Sequence, residues 1–163
     1  MRSFLLLLAI TITIGSFAQQ STTFILVRHA EKLADDPKDP NLSKEGEQRA
    51  QELKELLGRS GISVIYSTPF KRTRSTVQPI ASALDLEIMD YMPNDPKALI
   101  DQMLAKHQGA TILVSGHSNT TPMLANVLLG KEKYAQFDDG DYGNILIITV
   151  APSGIASDVL IRY

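Results

Sequence analysis

After residue 21 the chain alternates between short apolar runs and longer amphipathic stretches, and this alternation restricts the fold more than any other feature. The apolar runs, which are typical of buried strands, cover residues 23–27, 64–66, 86–89 and 110–114. The amphipathic stretches, which predict helices, cover residues 43–57, 69–84, 96–106 and 120–129. Two last strands, 144–150 and 155–162, flank a Pro-Ser-Gly turn and predict a hairpin.

Strands that alternate with helices predict an α/β domain. We expect a three-layer α/β/α sandwich with a largely parallel sheet and a C-terminal β-hairpin. Ser43, Thr68 and Asp95 are predicted N-caps of the first three helices, and Thr68 and Asp95 are each followed by a proline that suits a first helical position. A chain of 163 residues is long enough for one such domain.

The first eighteen residues have the pattern of a secretory signal peptide. Met1-Arg2 is a short basic start, Phe4–Ile14 is almost wholly apolar, and Ser16-Phe17-Ala18 supplies small residues before a cleavage point. A membrane anchor is the alternative, but a spanning helix needs about 20 apolar residues. We therefore predict cleavage after Ala18, a mature domain of residues 19–163, no stable membrane insertion afterwards, and a periplasmic or secreted protein.

Charge and cysteine content exclude several classes of function. The formal net charge is −2, which argues against nucleic acid or an anionic membrane as the main partner, because both require a basic face. The chain has no cysteine, so neither a disulfide, a cysteine nucleophile nor a Cys-ligated zinc is possible.

Two histidines and two arginines occur where a predicted strand ends or the next helix begins. Arg28 and His29 follow the first strand, Arg72 lies in the first turn of the second helix, and His117 follows the fourth strand. Ligands in open α/β sheets bind beyond the carboxyl ends of the strands. Guanidinium groups and a helix N-terminus suit a phosphate, and a neutral histidine there could attack phosphorus. The sequence thus predicts a small phosphorylated substrate, with no cofactor or metal required.

Four segments carry a resemblance to a known family. Arg28-His29-Ala30-Glu31 resembles the Arg-His-Gly signature of the histidine phosphatase (phosphoglycerate mutase-like) superfamily, with Ala in place of Gly. The segments at residues 67–73 (Ser-Thr-Pro-Phe-Lys-Arg-Thr), 114–117 (Val-Ser-Gly-His) and 42–46 (Leu-Ser-Lys-Glu-Gly) resemble its other motifs, in the expected order. The likeness spans residues 23–120.

The resemblance implies that His29 is a nucleophile that becomes phosphohistidine, and that Arg28, Arg72 and His117 bind the phosphate and stabilise the transferring group. The mature domain leaves no room for the insertions of larger mutases, which favours a phosphatase of phosphomonoesters. The alternatives are a phosphohistidine-protein phosphatase and a catalytically weak module that binds a phosphorylated ligand.

The family's proton donor has no obvious counterpart in the sequence. No Glu occurs between residues 91 and 131, and Ser118 stands where one branch has an Asp after the second histidine. Asp95 is the candidate acid, although Asp before Pro96 is also a suitable N-cap. Glu31 is the rival, and it could instead orient its loop.

Other polar residues have more ordinary interpretations. His107 lies near a helix end and is expected to be solvated, Asn119 is expected to cap the fourth helix, and at least one of Lys71 and Arg74 is expected to be plain surface. Asp138-Asp139-Gly140-Asp141 lacks the spacing of an EF-hand and predicts a solvated turn. A metallohydrolase that uses the histidines ranks last, because no short His-x-x-x-His pair exists.

Overall fold

The computed structural model describes residues 20–163, so the predicted signal peptide lies outside the described residues. The strands are β1 (Thr22–Arg28), β2 (Ile62–Ser67), β3 (Ile88–Asp90), β4 (Thr111–Gly116), β5 (Asn144–Val150) and β6 (Ala156–Arg162). The helices are α1 (Lys44–Leu57), α2 (Lys71–Leu84), α3 (Pro96–Lys106) and α4 (Thr120–Leu129). The predicted order of elements is confirmed.

The six strands form one sheet in the order β3-β2-β4-β1-β5-β6. The β2–β3, β2–β4 and β1–β4 pairs are parallel, whereas β5 runs antiparallel to β1 and β6 antiparallel to β5. The predicted largely parallel sheet with a C-terminal hairpin is therefore confirmed. Because β5 runs antiparallel to β1, the start of β5 lies at the same sheet edge as the end of β1.

The central strands β1 and β4 are buried on both faces of the sheet, as continuous apolar strands predict. On β1, Phe24 and Leu26 pack in a core with residues of α3 and α4. Ile25 and Val27 point to the opposite face and pack in a second core with residues of α1 and α2. This arrangement is the predicted α/β/α sandwich, and it fixes β1 and β4 at the centre, from which the site residues emerge.

The helix starts show which cap predictions hold. Ser43 caps α1 and Asp95 caps α3, each accepting a hydrogen bond from a backbone N–H three residues later. The prediction for α2 was wrong, because its N-cap is Phe70 rather than Thr68, and the Thr68 hydroxyl instead bonds to side chains of the site. Asn119 occupies the N-cap position of α4, but its side chain makes no capping hydrogen bond.

The third strand begins two residues later than predicted. Asp85 ends α2 in the left-handed conformation (φ 53°), and the N–H of Leu86 still bonds to the carbonyl of Ala81. Leu86 therefore belongs to the turn, and β3 starts at Ile88. None of the helices within residues 20–163 is long and apolar enough to cross a membrane.

Candidate active site

The fold brings the four predicted residues Arg28, His29, Arg72 and His117 to one edge of the sheet. The ring centroids of His29 and His117 are 5.5 Å apart. Nη2 of Arg72 is 3.5 Å from Nδ1 of His117, and Arg28 ends β1 directly before His29. The backbone N–H of His29 continues the β1–β4 pairing by donating to the carbonyl of Gly116 at 2.9 Å. The two central strands thus hold both histidines on rigid backbone.

His29 has the protonation pattern that a nitrogen nucleophile requires. Its Nδ1 is 2.8 Å from the carbonyl oxygen of Ala30, which can only accept, so Nδ1 carries the proton and Nε2 keeps its lone pair. The side chain is only 4% exposed. Burial, and after it the charges of His117, Arg28 and Arg72, lower the pKa of His29 from 6.5 to about 3, although the hydrogen bond to Ala30 acts in the opposite direction. The ring is therefore neutral across the physiological range.

His117 sits between a hydroxyl and a guanidinium. Its Nε2 is 3.0 Å from the buried hydroxyl of Thr68, and its ring meets the edge of Phe70 with centroids 5.2 Å apart. Burial, then the charges of Arg72 and Arg28, lower the pKa of His117 to about 4. A phosphate beside this ring would add negative charge and favour a proton on it, which would turn a neutral ring into a double donor.

Arg72 is held by the loop between β1 and α1. Its Nη1 donates to the carbonyl of Lys38 at 3.3 Å and lies 3.6 Å from the carboxylate of Asp39. The guanidinium carbon lies over the ring of Phe70, 4.6 Å from its centroid. Asp39 also accepts from the backbone N–H of Lys71 at 2.9 Å, so this carboxylate caps α2 from another loop. The Asp39 carboxylate therefore binds both the N-terminus of α2 and the guanidinium of Arg72.

Arg28 is held by the segment before β5. Its Nη1 donates to the carbonyls of Asp138 and Asp141 at 2.6 and 3.1 Å, and its Nη2 donates to the carbonyl of Asp139 at 3.0 Å. The guanidinium carbon is 4.1 Å from the ring centroid of Tyr142. Asp138 and Asp139 are exposed, as the predicted solvated turn requires, but the backbone of this turn has a role that the prediction missed.

Three buried side-chain atoms in the described part of the chain have no hydrogen-bond partner: Nε of Arg28 and both amide atoms of Asn144. Val27 pairs with Ile145 in the β1–β5 register, so Arg28 and Asn144 are the next facing positions. Buried polar groups are ordinarily satisfied. The unused donors and acceptor are therefore available to a phosphate oxygen or a bound water next to His29.

The two candidate acids have other partners. Asp95 is exposed and accepts from the N–H of Ala98 at 3.0 Å, and no hydrogen bond or ion pair among the described residues joins it to the four site residues. Its role as proton donor stays a prediction. Glu31 pairs with Arg49, with Nη2 to Oε1 at 2.7 Å. Burial favours a raised pKa for Glu31, but the hydrogen bonds from Arg49 outweigh it and the pKa is lowered.

The Glu31–Arg49 pair supports the loop beside the nucleophile. Glu31 lies so close to α1 that a Cβ at Gly46 would collide with its carbonyl oxygen, which explains the glycine in this helix. Among the remaining candidates, His107 bonds through Nε2 to the hydroxyl of Tyr66 at 3.0 Å, and Arg74 pairs with Asp90. Within residues 20–163, no cluster of three or more His, Asp or Glu residues could hold a metal ion.

Two comparisons of sequence each match less than half of the chain. The profile of the histidine phosphatase superfamily (branch 1) matches residues 24–91, which include Arg28, His29 and Arg72. Phosphoserine phosphatase 1 of Hydrogenobacter thermophilus is 42% identical over 71 residues, which are 40% of this chain. The match spans about a third of that relative, 34% of its length.

Solved structures extend the likeness to nearly the whole fold. The protein histidine phosphatase SixA complexed with tungstate superposes with a TM-score of 0.72 and 18% identity, over 86% of this chain and 96% of SixA. Phosphoserine phosphatase from Entamoeba histolytica in complex with 3-phosphoglyceric acid superposes with a TM-score of 0.70 and 18% identity, over 87% and 97% of the two chains. At such low identity these likenesses establish the shared fold.

Proposed function

We propose that the chain is a member of the histidine phosphatase superfamily and that it hydrolyses phosphomonoesters through a covalent phosphohistidine at His29. One observation carries the proposal above the others: a neutral histidine, with its proton held on Nδ1 by a backbone carbonyl, lies between two arginines and a second histidine. This arrangement supplies a nucleophile and the positive charge that a phosphoryl group needs.

The reaction proceeds in two displacements at phosphorus. First, the lone pair of His29 Nε2 forms a bond to phosphorus, the ester P–O bond breaks, and its electron pair leaves with the oxygen, which takes up a proton. Next, a water oxygen forms a bond to phosphorus and its proton passes to the group that donated one in the first step, while the N–P bond breaks and its electron pair returns to Nε2. The products are an alcohol and phosphate, and no redox step is involved.

The other site residues stabilise the negative charge of the phosphoryl group. In this proposal Arg72 binds the phosphoryl oxygens with a planar fork of donors, and His117 becomes a donor as negative charge develops. Arg28 supplies a second positive charge next to the nucleophile. Asp95 stays the predicted donor of the proton to the leaving oxygen, and its carboxylate caps α3 in this structure. These charges come from side chains, so the proposal requires no metal.

Two classes of substrate fit the proposed reaction. Relatives that carry the name phosphoserine phosphatase support a small phosphomonoester. The fold similarity to a protein histidine phosphatase supports phosphohistidine in a protein as the alternative. Export of the mature domain, which we also propose from residues 1–18, favours the small ester, because phosphorelay proteins are cytoplasmic. The intact mass of protein isolated from its host tests export, with Gln19 as the expected first residue.

A rapid quench with labelled phosphoryl substrate tests the intermediate, with a chelator present throughout. Label on wild-type protein should be lost in acid and kept in alkali, as an N–P bond requires. His29→Ala should trap no label and lose nearly all turnover while it stays folded. His107→Ala is the matched control, because His107 lies outside the site and should trap label like wild type. Turnover by His29→Ala within a few-fold of wild type would refute the proposal.

A further inference from the structure

Tyr142 touches the two residues at the centre of the site, although no sequence motif includes it. Its ring lies under the guanidinium of Arg28, 4.1 Å from the carbon atom to the ring centroid. The same ring is tilted by 55° against the imidazole of His29, with centroids 6.0 Å apart. One aromatic side chain therefore contacts both the nucleophile and its neighbouring positive charge.

The backbone before Tyr142 forms hydrogen bonds with the same guanidinium. Carbonyl oxygens of Asp138, Asp139 and Asp141 accept three hydrogen bonds from Arg28, and the N–H of Asp141 closes the turn onto the carbonyl of Asp138 at 3.0 Å. These acceptors are neutral dipoles, so they fix the guanidinium without cancelling its charge. Arg28 is 3% exposed, and the aromatic face of Tyr142 lies against its guanidinium.

We propose that Tyr142 is a positioning residue of the reaction, and that its ring holds Arg28 and His29 in their relative places. The inference rests on the proposed function, since it assigns a role toward the same nucleophile. The flat face of an aromatic ring packs well against a planar guanidinium. Because the ring has few rotamers, it can hold the groups that it contacts in a fixed position. Displacement of a reacting group by about 1 Å can cost about 10²-fold in rate.

The ring also helps to keep water from His29. Burial is the largest cause of the low pKa of His29, and the charged or titratable groups that face its ring are Arg28, Arg72 and His117. Loss of the ring would expose the imidazole and loosen Arg28, and both changes favour the protonated form. The phenol oxygen makes no hydrogen bond to another described residue, so the aromatic face is the part that acts.

Three substitutions separate the ring from the hydroxyl and from simple packing. Tyr142→Phe keeps the face and should leave turnover within about threefold of wild type. Tyr142→Leu keeps apolar volume without an aromatic face, and should lower kcat by about 10- to 100-fold with a smaller change in KM. Tyr142→Ala should have at least the effect of Tyr142→Leu. The distant Tyr134→Leu controls for loss of a tyrosine, because Tyr134 bonds to Asp158 away from the site.

NMR titration of the His29 ring gives a readout that needs no turnover. The pKa of His29 should rise from about 3 toward 6.5 in Tyr142→Leu, and stay near the wild-type value in Tyr142→Phe and Tyr134→Leu. An unchanged titration and unchanged kcat in Tyr142→Leu would overturn the inference, as would equal losses in Tyr142→Phe and Tyr142→Leu. A wild-type protein that never forms phosphohistidine would overturn the proposed function, while the titration would still report whether Tyr142 positions the pair.

Discussion

The two arginines of the site are held by different chemistry. Arg28 is deeply buried and donates to three neutral carbonyls, whereas Arg72 keeps a 15% exposed side chain beside the carboxylate of Asp39. Each guanidinium also stacks on an aromatic ring, Tyr142 for Arg28 and Phe70 for Arg72. The carbonyl oxygens hold the Arg28 guanidinium in place and leave its positive charge uncompensated. The Asp39 carboxylate compensates the charge of Arg72, and another anion can replace it. We therefore expect Arg28 to support the structure as well as the proposed reaction, and Arg72 to exchange its carboxylate partner for another anion.

Substitution of the two arginines by methionine should give the largest difference between the two sides. Arg28→Met leaves three carbonyls without their donor, and should lower the free energy of unfolding by about 2–4 kcal/mol. Arg72→Met breaks a partly exposed ion pair and should cost only about 1 kcal/mol or less. Both variants should lose about 10²- to 10³-fold in turnover. Chemical denaturation and steady-state kinetics measure the two effects, and equal losses of stability would contradict the comparison.

The sequence predicts which edge of the sheet brings the candidate site residues together, because that edge follows from topology. Arg28, His29 and His117 follow strands β1 and β4, which are neighbours and parallel, and the carboxyl ends of parallel strands meet at one edge. Arg72 is predicted to join the site because it lies in the first turn of α2. These positions require only the order of elements and local chemistry, and both are readable from one chain.

The residues that hold the arginines could not be predicted in the same way. Tyr142 reaches His29 only because β5 runs antiparallel to β1, and the sequence predicted a hairpin without its neighbour in the sheet. The carbonyls of residues 138–141 have no signature, since every residue carries one. The wrong cap at Thr68 has the same origin: Asp39, from a distant loop, accepts from the N–H of Lys71 and frees Thr68 to meet His117.

A smaller effect concerns the two histidines, one next to each arginine. In the unfolded chain each has a pKa near 6.5, while folding lowers that of His29 to about 3 and that of His117 to about 4. Between these values the unfolded state binds more protons, so stability must fall as pH falls below 6.5. The slope of the free energy of unfolding should be about 1.4 kcal/mol per pH for each histidine.

Single variants assign the slope to each side. His117→Asn should lower the slope of the unfolding free energy against pH by the contribution of one proton between about pH 6.5 and 4. His29→Asn should do the same between about pH 6.5 and 3. Urea denaturation across this range measures the difference in unfolding free energy from wild type. Taking this difference removes the contribution of the carboxylates, which are the same in all variants. A wild-type slope that both substitutions leave unchanged would show that neither histidine is kept neutral by folding.

The smallest predicted effect tests whether the Arg72 side exchanges anions. Asp39→Asn keeps an oxygen that can accept from the N–H of Lys71, but removes the charge that competes for Arg72. Tungstate or inorganic phosphate should then bind about three- to tenfold more tightly, which corresponds to about 0.7–1.4 kcal/mol. Asp35→Asn is the matched control from the same loop, because Asp35 bonds to Asn41 and not to Arg72. Calorimetric titration measures both variants. If Asp39→Asn binds these anions more weakly than wild type, Asp39 orients Arg72 toward the ligand, and the carboxylate is a fixed support like the carbonyls around Arg28.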